Sequence, residues 1–437
     1  MPSSPRNRMF SSPGDKMPKF AHISDIHLGA NSDPALSRLE MEAFTRAIDE
    51  CLKENVDFIL IRGDLFHVSI PDLRAVDDAV RKLREVTDHG IPVYVIYGSH
   101  DFTPNGKSMV DIIESAGLIT RIVSGEIEEE KGKLKLNFFV DRKTGAKIVG
   151  ISGRKGGLDR EYYEILDRES LEKESGFRIF AFHAGLDEFK PQYLSEMESI
   201  PISLLPRDFE YYAGGHIHER LEGNLPSYEH VIFPGALFGS QTRDHEASGK
   251  GEKRGFYIVS FDDSIRETKF VPIQVCDFVF KDLDVEGKNA HEAETWLKEN
   301  LEALDVSDKV VMLKVRGELS GGKTSDINLG MLRQILLERG AISVYVNRLG
   351  LTSKEFAAIR AAGEDMETIE NRLLKENIGT VKVSDDTLRG EDGLKRAIDL
   401  LRVLRRPSRP GESKQNYDER MKEQGIETLG LREVFFS

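Results

Sequence analysis

Short apolar runs alternate with amphipathic stretches through residues 19–271 of the chain. The runs have the length and composition of β-strands, and residues 36–54, 72–87 and 159–173 carry apolar side chains at helical spacing. This alternation predicts α/β layering. Because apolar runs are denser in the second half of the region, we expect a β-sandwich flanked by helices.

The pattern changes twice after residue 271. Residues 272–350 follow the order strand, helix over 326–339, strand, which predicts a small α/β unit, and residues 351–437 are helical in pattern and highly charged. Residues 1–17 are rich in Pro and Ser and predict a disordered leader before a main domain at 18–271. The apolar positions of two tail helices are Met366, Ile369 and Leu373 in one and Leu394, Ala397, Ile398, Leu401 and Leu404 in the other.

Each of five strand-like runs is followed by a short polar island. The islands SDIH, GDLFH and GSHD follow KFAHI, FILIR and PVYVIY, and the islands FHAG and GGHIH follow FRIFAF and FEYYA. Ligands gather at the carboxyl ends of strands in open α/β sheets, so the islands predict one shared site. Their carboxylates and imidazoles suit two hard-to-borderline divalent cations, a combination that cleaves phosphate esters.

The spacing within the islands suggests how two cations would be held. Asp25 and His27 alternate along a segment that we predict to be extended, so a slight twist aims both at one ion. Gly63 permits a tight turn that pushes out the carboxylate of Asp64, the best candidate to bridge both ions.

The remaining imidazoles lie in the last two islands. His216 and His218 follow two glycines and are spaced to give one imidazole to each ion, and His183 completes the shell of the second. A single histidine after a strand is more often structural than metal-bound. Five such islands in this order are much harder to obtain by accident, so we interpret them as a dinuclear site.

Composition narrows the class of protein. A chain of 437 residues exceeds one ordinary core, so two or three domains are expected. The net charge of −14 argues against nonspecific binding of nucleic acid by the bulk surface, although bound cations would make a local site positive. Two cysteines, Cys51 and Cys276, are typical of a reducing compartment, so we expect a cytoplasmic protein, associated with the nucleoid if prokaryotic. No apolar run approaches the roughly 18 residues of a membrane span, so no membrane partner is expected.

The five islands resemble those of the calcineurin-like metallophosphoesterases. GDLFH, followed by FPGALFGSQTRDHEASGKGEKRGFYIV and a small further unit, resembles one branch, the SbcD-type nucleases called meiotic recombination eleven in archaea and eukaryotes. The resemblance covers roughly residues 19–350 and is strongest before residue 255. It implies a four-layer β-sandwich flanked by helices, with a small α/β cap domain and a helical C-terminal tail. It also implies a manganese-dependent DNA exonuclease and single-strand endonuclease of double-strand break repair.

Matched motif by motif, the resemblance implies a role for each island residue. In-line attack of water on a DNA phosphodiester is expected, with a protonated histidine stabilising the developing charge or donating a proton to the leaving oxygen. The implied roles are ligands of the first ion for Asp25, His27 and His218, the bridge for Asp64, ligands of the second ion for Ser99, His183 and His216, the catalytic histidine for His100, and positioning of the DNA end for His67.

Two further residues of the third island are Ser99 and Asp101. Ser99 stands where the family usually has Asn, and a neutral hydroxyl is a weaker and shorter ligand than an amide carbonyl. We therefore expect the second ion to bind less tightly or to take an extra water. Asp101 is expected either to orient His100 or to support the loop as a turn-forming residue.

The expected partners follow from surface loops and from the resemblance. The family suggests a complex with an SMC-like coiled-coil ABC ATPase, bound through residues 394–404 and the last residues, and a homodimer through helices at 72–87 and 107–116. Manganese is the expected metal, although mixed His and carboxylate ligands also admit iron or zinc. Basic loop residues that could hold the DNA backbone are Lys107, Arg154, Lys155 and Arg243.

Two other functions are considered. The islands alone also fit a phosphoesterase of cyclic nucleotides, phosphoproteins or phosphate monoesters, because the core chemistry is shared. A nucleotide-binding site is suggested by GELSGGKT at residues 317–324, which fits the Walker A expression between a strand and a helix. Against it, few residues follow and they form no convincing Walker B strand, so we rank this function last.

Overall fold

The computed structural model describes residues 16–102, 107–128, 132–154, 159–354, 370–371, 374–375, 390–407, 409 and 414–430. In chain order the strands are β1 (Lys19–Ile23), β2 (Phe58–Arg62), β3 (Val93–Ile96), β4 (Thr120–Arg121), β5 (Gly125–Glu128), β6 (Lys133–Leu136), β7 (Phe139–Val140), β8 (Lys147–Ile151), β9 (Arg178–His183), β10 (Gly185–Leu186), β11 (Ser199–Ile200), β12 (Tyr211–Gly215), β13 (Leu221–Leu225), β14 (Tyr228–Phe233), β15 (Gly255–Phe261), β16 (Ile265–Pro272), β17 (Asp277–Asp284), β18 (Lys309–Leu319) and β19 (Ser343–Ser353). The helices are α1 (Pro34–Lys53), α2 (Leu73–Asp88), α3 (Met109–Ser115), α4 (Arg160–Glu164), α5 (Arg168–Glu172), α6 (Thr242–Gly249), α7 (Ala290–Glu302), α8 (Leu329–Glu338), α9 (Gly390–Leu404) and α10 (Lys414–Leu429).

Three strands of a six-stranded sheet lead directly into the first three islands. Its order is β16-β15-β1-β2-β3-β4, and β1, β2 and β3 are parallel neighbours. Ile23 pairs with Ile61, and Ile61 pairs with Val95, so the carboxyl ends of the three strands meet at one edge. All five residues of β2 are buried, which is typical of a parallel strand covered on both faces.

Two strands of a second six-stranded sheet lead into the last two islands. Its order is β13-β14-β12-β9-β8-β7, and β9 is parallel to β12. His183, the last residue of β9, pairs with Gly215, the last residue of β12. The two islands therefore also leave their sheet side by side.

The two sheets share a buried apolar cluster. Phe20 of β1 stacks on Phe58 of β2 with ring centroids 5.1 Å apart, and Tyr211 of β12 meets Phe20 edge-on at 5.1 Å. In a separate cluster, Phe44 and other residues of α1 pack with Ile59 of β2. The structure confirms the predicted α/β class with mixed sheets flanked by helices.

The prediction of one helix over residues 159–173 is wrong, because the structure has α4 and α5 with a break between them. The backbone of the break pairs with β6 instead of continuing the helix. The carbonyl of Ile165 accepts from the amide of Leu134 at 2.8 Å, and the amide of Asp167 donates to the carbonyl of Leu134 at 2.9 Å. The periodicity of the side chains could not reveal this competition from a distant strand.

Two compact units divide the chain. The first comprises residues 1–284, 295–315 and 328–349 and contains both six-stranded sheets. The second comprises residues 285–294, 316–327 and 350–437 and contains α9 and α10. The strands β17, β18 and β19 form a three-stranded sheet, so residues 272–350 hold one strand and one helix, β17 and α7, more than their pattern predicted.

In the tail, α9 and α10 pack against each other. The Arg396 guanidinium donates to the carbonyl of Leu429 at 2.6 Å, and the hydroxyl of Tyr417 donates to the carbonyl of Arg406 at 3.1 Å. The predicted face of Met366, Ile369 and Leu373 lies outside the described residues. Among the described helices, none has the length and apolar character needed to cross a membrane.

Candidate metal centre

Within the described residues, three groups of side chains bring potential metal-ligand atoms within 4.8 Å of one another. Each group combines residues from islands that are far apart in the sequence. The groups are Asp25, His27 and His218; Asp25, Asp64 and His183; and His27, His67 and His100. The first matches the set that the resemblance implies for the first ion.

The spacing of Asp25 and His27 predicted an extended first island, and this prediction is wrong. Asp25 and His27 both have left-handed backbone conformations, with φ angles of 48° and 53°. Asp64 and His216 share this conformation, with φ angles of 51° and 87°. Such conformations are uncommon for residues with a side chain and cluster at functional sites. The turns, rather than a twisted strand, aim these side chains into one space.

The carboxylate of Asp64 lies between imidazoles of both sheets. Its Oδ2 atom is 3.6 Å from Nε2 of His27 and 3.2 Å from Nε2 of His183. Its Oδ1 atom accepts from the backbone amide of His100 at 2.8 Å. A Cβ atom on Gly98 would lie 2.0 Å from Asp64 Oδ1, so the close approach of the third island requires glycine there. This central position is the one that a bridging ligand needs.

His183 presents a nitrogen suited to a metal ion. Its Nδ1 atom is 2.8 Å from the carbonyl of Arg62, and since a carbonyl only accepts, Nδ1 carries the proton. Its buried Nε2 atom makes no hydrogen bond within the described part of the chain. A carbonyl at one ring nitrogen and a ligand position at the other is the usual arrangement of a metal-binding histidine.

His218 has the same arrangement. Its Nδ1 atom is 2.9 Å from Oδ2 of Asp244, and its Nε2 atom is 3.1 Å from Nε2 of His27. Asp25 lies close by, with its Oδ1 atom 3.9 Å from the same His218 nitrogen. Two ring nitrogens and a carboxylate that converge in this way fit a shared cation.

Two cavities meet at the third and fifth islands. Ser99, His100 and His216 line both a cavity of about 480 Å³ and one of about 260 Å³. The ring of His216 is 5.2 Å from that of His183, and its backbone amide donates to both carboxylate oxygens of Asp25 at 3.1 Å. The second predicted ligand set therefore borders open space that a substrate could enter.

His100 and His67 form a pair beside the ligands. Nδ1 of His100 donates to the carbonyl of His67 at 2.6 Å, and the two rings stack with centroids 4.7 Å apart. Because Nδ1 is held by this carbonyl, Nε2 is the atom of His100 available to a substrate. Nδ1 of His67 is 3.5 Å from Nδ1 of His27.

Asp101 faces the backbone rather than the cavities. Its buried carboxylate accepts from the amides of Gly98, Leu65 and Phe66 at 3.0, 3.4 and 3.3 Å. These bonds tie the second island to the third. Of its two expected roles, the contacts favour support of the loops over orientation of the His100 ring.

Burial and mutual charge shift the titration of the site. Burial opposes charge on His183, but the Asp64 carboxylate outweighs it and raises the pKa of His183 to about 10. Burial likewise opposes charge on Asp64, yet His183 and His27 hold its pKa well below the usual range. Burial lowers the pKa of His216 to about 3 and raises that of Asp25. Perturbed groups gathered in this way are typical of functional sites.

Sequence reasoning missed two residues that support the site. Asp244 holds Nδ1 of His218, and the Arg254 guanidinium donates to the carbonyls of both Asp244 and His218. The only signal for Asp244 was its position three residues after Gln241, in the capping box that begins α6. Arg254 carried no local signal.

Of the four basic residues predicted to contact DNA, two line the cavities at the third and fifth islands. Arg154 lines the larger cavity and Arg243 the smaller one. Lys107 is exposed and lines neither of these two cavities, and Lys155 lies outside the described residues.

GELSGGKT does not have the geometry of a nucleotide-binding loop. A Walker A loop runs directly into a helix whose amides face the phosphates. Here the amide of Lys323 donates to Oδ2 of Asp326 at 2.8 Å, a short 3₁₀ turn follows, and α8 begins only at Leu329. The amide of Lys323, which a bound phosphate would need as a donor, is therefore already engaged by the carboxylate of Asp326.

Comparison with known proteins agrees with the islands. Residues 18–220 match the family described as Calcineurin-like phosphoesterase. A DNA double-strand break repair protein Mre11 from Methanococcus maripaludis is 26% identical over 65% of this chain and 74% of its own length. A protein of the same name from Archaeoglobus fulgidus is 29% identical over 67% of this chain and 66% of its own length.

The chain is also similar to a solved structure. A dimetal phosphatase from Danio rerio matches 60% of this chain and 100% of its own, with 14% identity and a TM-score of 0.37. The chain spans between 57% and 74% of the length of the first three curated relatives. The family match, the identity to the Mre11 proteins and the convergence of Asp and His ligands lead to one conclusion. The chain carries a calcineurin-like metallophosphoesterase domain, with distant homologues named Mre11.

Proposed function

We propose that this protein is a DNA nuclease of double-strand break repair that hydrolyses phosphodiesters with two divalent cations, most simply manganese. The observation that carries the proposal is the Asp64 carboxylate between Nε2 of His27 and Nε2 of His183, beside a buried His183 nitrogen without a hydrogen bond. The names of the archaeal relatives support DNA as the substrate.

In this proposal the ligands divide into two sets. Two divalent cations, when bound, would lower the pKa of a water molecule and neutralise charge on the phosphate oxygens. The first set is Asp25, His27 and His218, the second is Ser99, His183 and His216, and Asp64 belongs to both. Ser99 offers a weak hydroxyl, so the second set is expected to bind its ion less tightly.

The proposed chemistry of the chain itself rests on His100. Its Nδ1–H bond to the carbonyl of His67 fixes the ring, and Nε2 can then donate a proton to the leaving oxygen. His67 stacks on that ring and is proposed to position the end of the DNA strand. Asp101 would hold the loops that carry both histidines.

A test of this function compares three kinds of substrate. We expect manganese-loaded protein to degrade linear DNA, with little hydrolysis of p-nitrophenyl phosphate or of cyclic nucleotides. The His100→Asn variant should lose about 10²–10⁴-fold in DNA cleavage because the proton donor is gone. It should retain the melting temperature and metal binding of the wild type.

Two results would contradict the proposal. If monoesters or cyclic nucleotides are hydrolysed and DNA is not, the protein is another calcineurin-like phosphoesterase. If DNA survives with and without an ABC ATPase partner, the nuclease function is wrong.

We further propose that Arg154 and Arg243 hold the phosphates on either side of the scissile one. The Arg154 guanidinium lies 5.0 Å from the ring centroid of Phe102 and 4.5 Å from that of Tyr162. Arg243 lies 4.2 Å from the ring centroid of Tyr193. Stacking on aromatic rings fixes a guanidinium while leaving its N–H groups available for phosphate.

The effect of the two arginines on DNA binding can be measured separately from their effect on phosphodiester hydrolysis. Arg154→Ala and Arg243→Ala should each raise KM for an oligonucleotide about tenfold and lessen the dependence of binding on salt. Hydrolysis of bis-p-nitrophenyl phosphate, a diester without neighbouring phosphates, should stay unchanged. Arg81→Ala removes an exposed arginine paired with Asp77 and serves as the control. Equal effects of all three substitutions would refute the two contacts.

The domain layout and partners are also proposals. We propose a nuclease domain at 18–271 with a four-layer sandwich, a cap at 272–350 and a partner-binding region at 351–437. Binding of an SMC-like ABC ATPase is assigned to the last region, where Leu404 at the end of α9 is 53% exposed. A homodimer surface is assigned to the start of α2 and to α3, where Ile70, Leu73 and Ile112 are 79%, 76% and 52% exposed.

A further inference from the structure

Helix α6 begins with a capping box whose acidic residue has a second contact. Oδ2 of Asp244 accepts from the amides of Ser240 and Gln241 at 2.9 and 3.0 Å, which is an ordinary capping role. The same oxygen accepts from Nδ1 of His218 at 2.9 Å. The start of α6 is therefore also the support of an imidazole that faces His27 and Asp25.

A buried arginine contacts the backbone of both Asp244 and His218. The Arg254 guanidinium, which is 7% exposed, donates to the carbonyl of Asp244 at 2.9 Å and to the carbonyl of His218. One planar group thus links the backbones of both residues, so neither backbone can shift without breaking a hydrogen bond to Arg254.

The next residues of α6 fix the helix on its other side. Nε2 of His245 is 3.1 Å from Oδ1 of Asn31, and its ring stacks on Phe278 of β17 at 5.7 Å. Asn347 of β19 donates to Glu246 at 2.9 Å. Asp244 is therefore held on a helix that is anchored to the first island's loop and to two strands.

We propose that Asp244 is a positioning residue for the first cation, resting on the proposed role of His218 as its ligand. By accepting from Nδ1–H, the carboxylate keeps His218 in the tautomer whose Nε2 lone pair points toward His27 and Asp25. It also raises the basicity of that nitrogen. Outer partners of this kind typically change metal affinity by about 10–100-fold when removed.

The test compares two capping-box aspartates. Asp111 holds the equivalent place in α3, where it accepts from the amide and the hydroxyl of Ser108 at 2.8 and 3.2 Å. In a calorimetric titration with manganese, Asp244→Ala should bind one of the two ions about 10–100-fold more weakly. Asp111→Ala loses a helix cap and contacts with Tyr97 and Arg121, but none of these partners is a proposed metal ligand. It should therefore bind both ions as the wild type does. Asp244→Asn, which keeps an acceptor oxygen without the charge, should lie between them.

A second measurement needs no metal. In ¹⁵N-histidine NMR spectra of the metal-free protein, His218 should show the Nδ1–H tautomer, and Asp244→Ala should abolish that signature. Unchanged manganese affinity in Asp244→Ala would overturn the proposal, and if that variant does not fold, unchanged affinity in Asp244→Asn would do so. A wild-type protein that binds no manganese would instead contradict the proposed function itself.

Discussion

At the scale of single residues, the centre depends on two buried groups of opposite charge. Asp64 is 1% exposed and His183 is 2% exposed, and the atoms that face each other are 3.2 Å apart. Neither charge would be tolerated alone at this depth. In the metal-free protein an imidazolium at His183 would balance the charge of Asp64, a role that the proposed cations would take over.

This pair predicts how the metal-free protein responds to pH. The pKa of His183 is raised to about 10, so its contribution to stability is complete below its ordinary value of 6.5 and is lost as pH rises toward 10. The pKa of Asp64 is depressed, so its contribution is present above its ordinary value of 3.8 and is lost only as pH falls below it.

We expect the melting temperature of EDTA-treated protein to fall between pH 7 and pH 10. His183→Gln should remove most of that fall, because the titrating group is gone. Glu54→Gln offers a control, since this carboxylate is paired with Lys19 and Lys269 at the surface. An identical pH dependence in wild type and His183→Gln would contradict the assignment.

At the scale of elements, the proposed ligands lie at the carboxyl ends of strands or in the turns that follow them. Gly63, with a φ of 84°, directly follows β2. It lies so close to the neighbouring islands that a Cβ atom would be 2.3 Å from Nδ1 of His183 and 2.7 Å from Cα of Gly98. Gly29, with a φ of 86°, has open space where its Cβ would be. The two glycines share a conformation and differ in their surroundings.

Substitution of these glycines by alanine separates the cost of a left-handed backbone from the cost of a steric clash between the new Cβ atom and its neighbours. Gly29→Ala should cost about 1–2 kcal/mol in the free energy of unfolding, from the left-handed backbone alone. Gly63→Ala should cost about 1–3 kcal/mol more, because His183 must move, and it should weaken metal binding. Urea unfolding of both variants measures this difference. Equal losses would show that the turn at Gly63 has room for a side chain.

The elements also show what the sequence could and could not predict. The runs before the islands were predicted because each is a short apolar segment, and β1, β2, β3, β9 and β12 confirm them. The break between α4 and α5 depends on pairing with Leu134, and the left-handed turn at Asp25 depends on contacts across two sheets. Asp244 was missed because its partner is 26 residues away in the chain. Long-range contacts of this kind leave no local pattern.

At the scale of the whole molecule, two parallel strand edges from different sheets bring five islands into one space. The islands span residues 24–218, so no single segment carries the site. The net charge of −14 would repel DNA from most of the surface. Under the proposed function, the approach of DNA to the centre would therefore depend on bound cations and on the two proposed arginine contacts. This arrangement predicts that metal occupancy and DNA binding rise together.

The most direct test of the dinuclear centre is the anomalous diffraction of a crystal soaked in manganese. We expect two peaks about 3.5–4 Å apart. One should lie within ligand distance of Asp25, His27 and His218, and the other near His183 and His216, with Asp64 shared between them. A single peak, or peaks away from Asp64, would contradict the two-cation account.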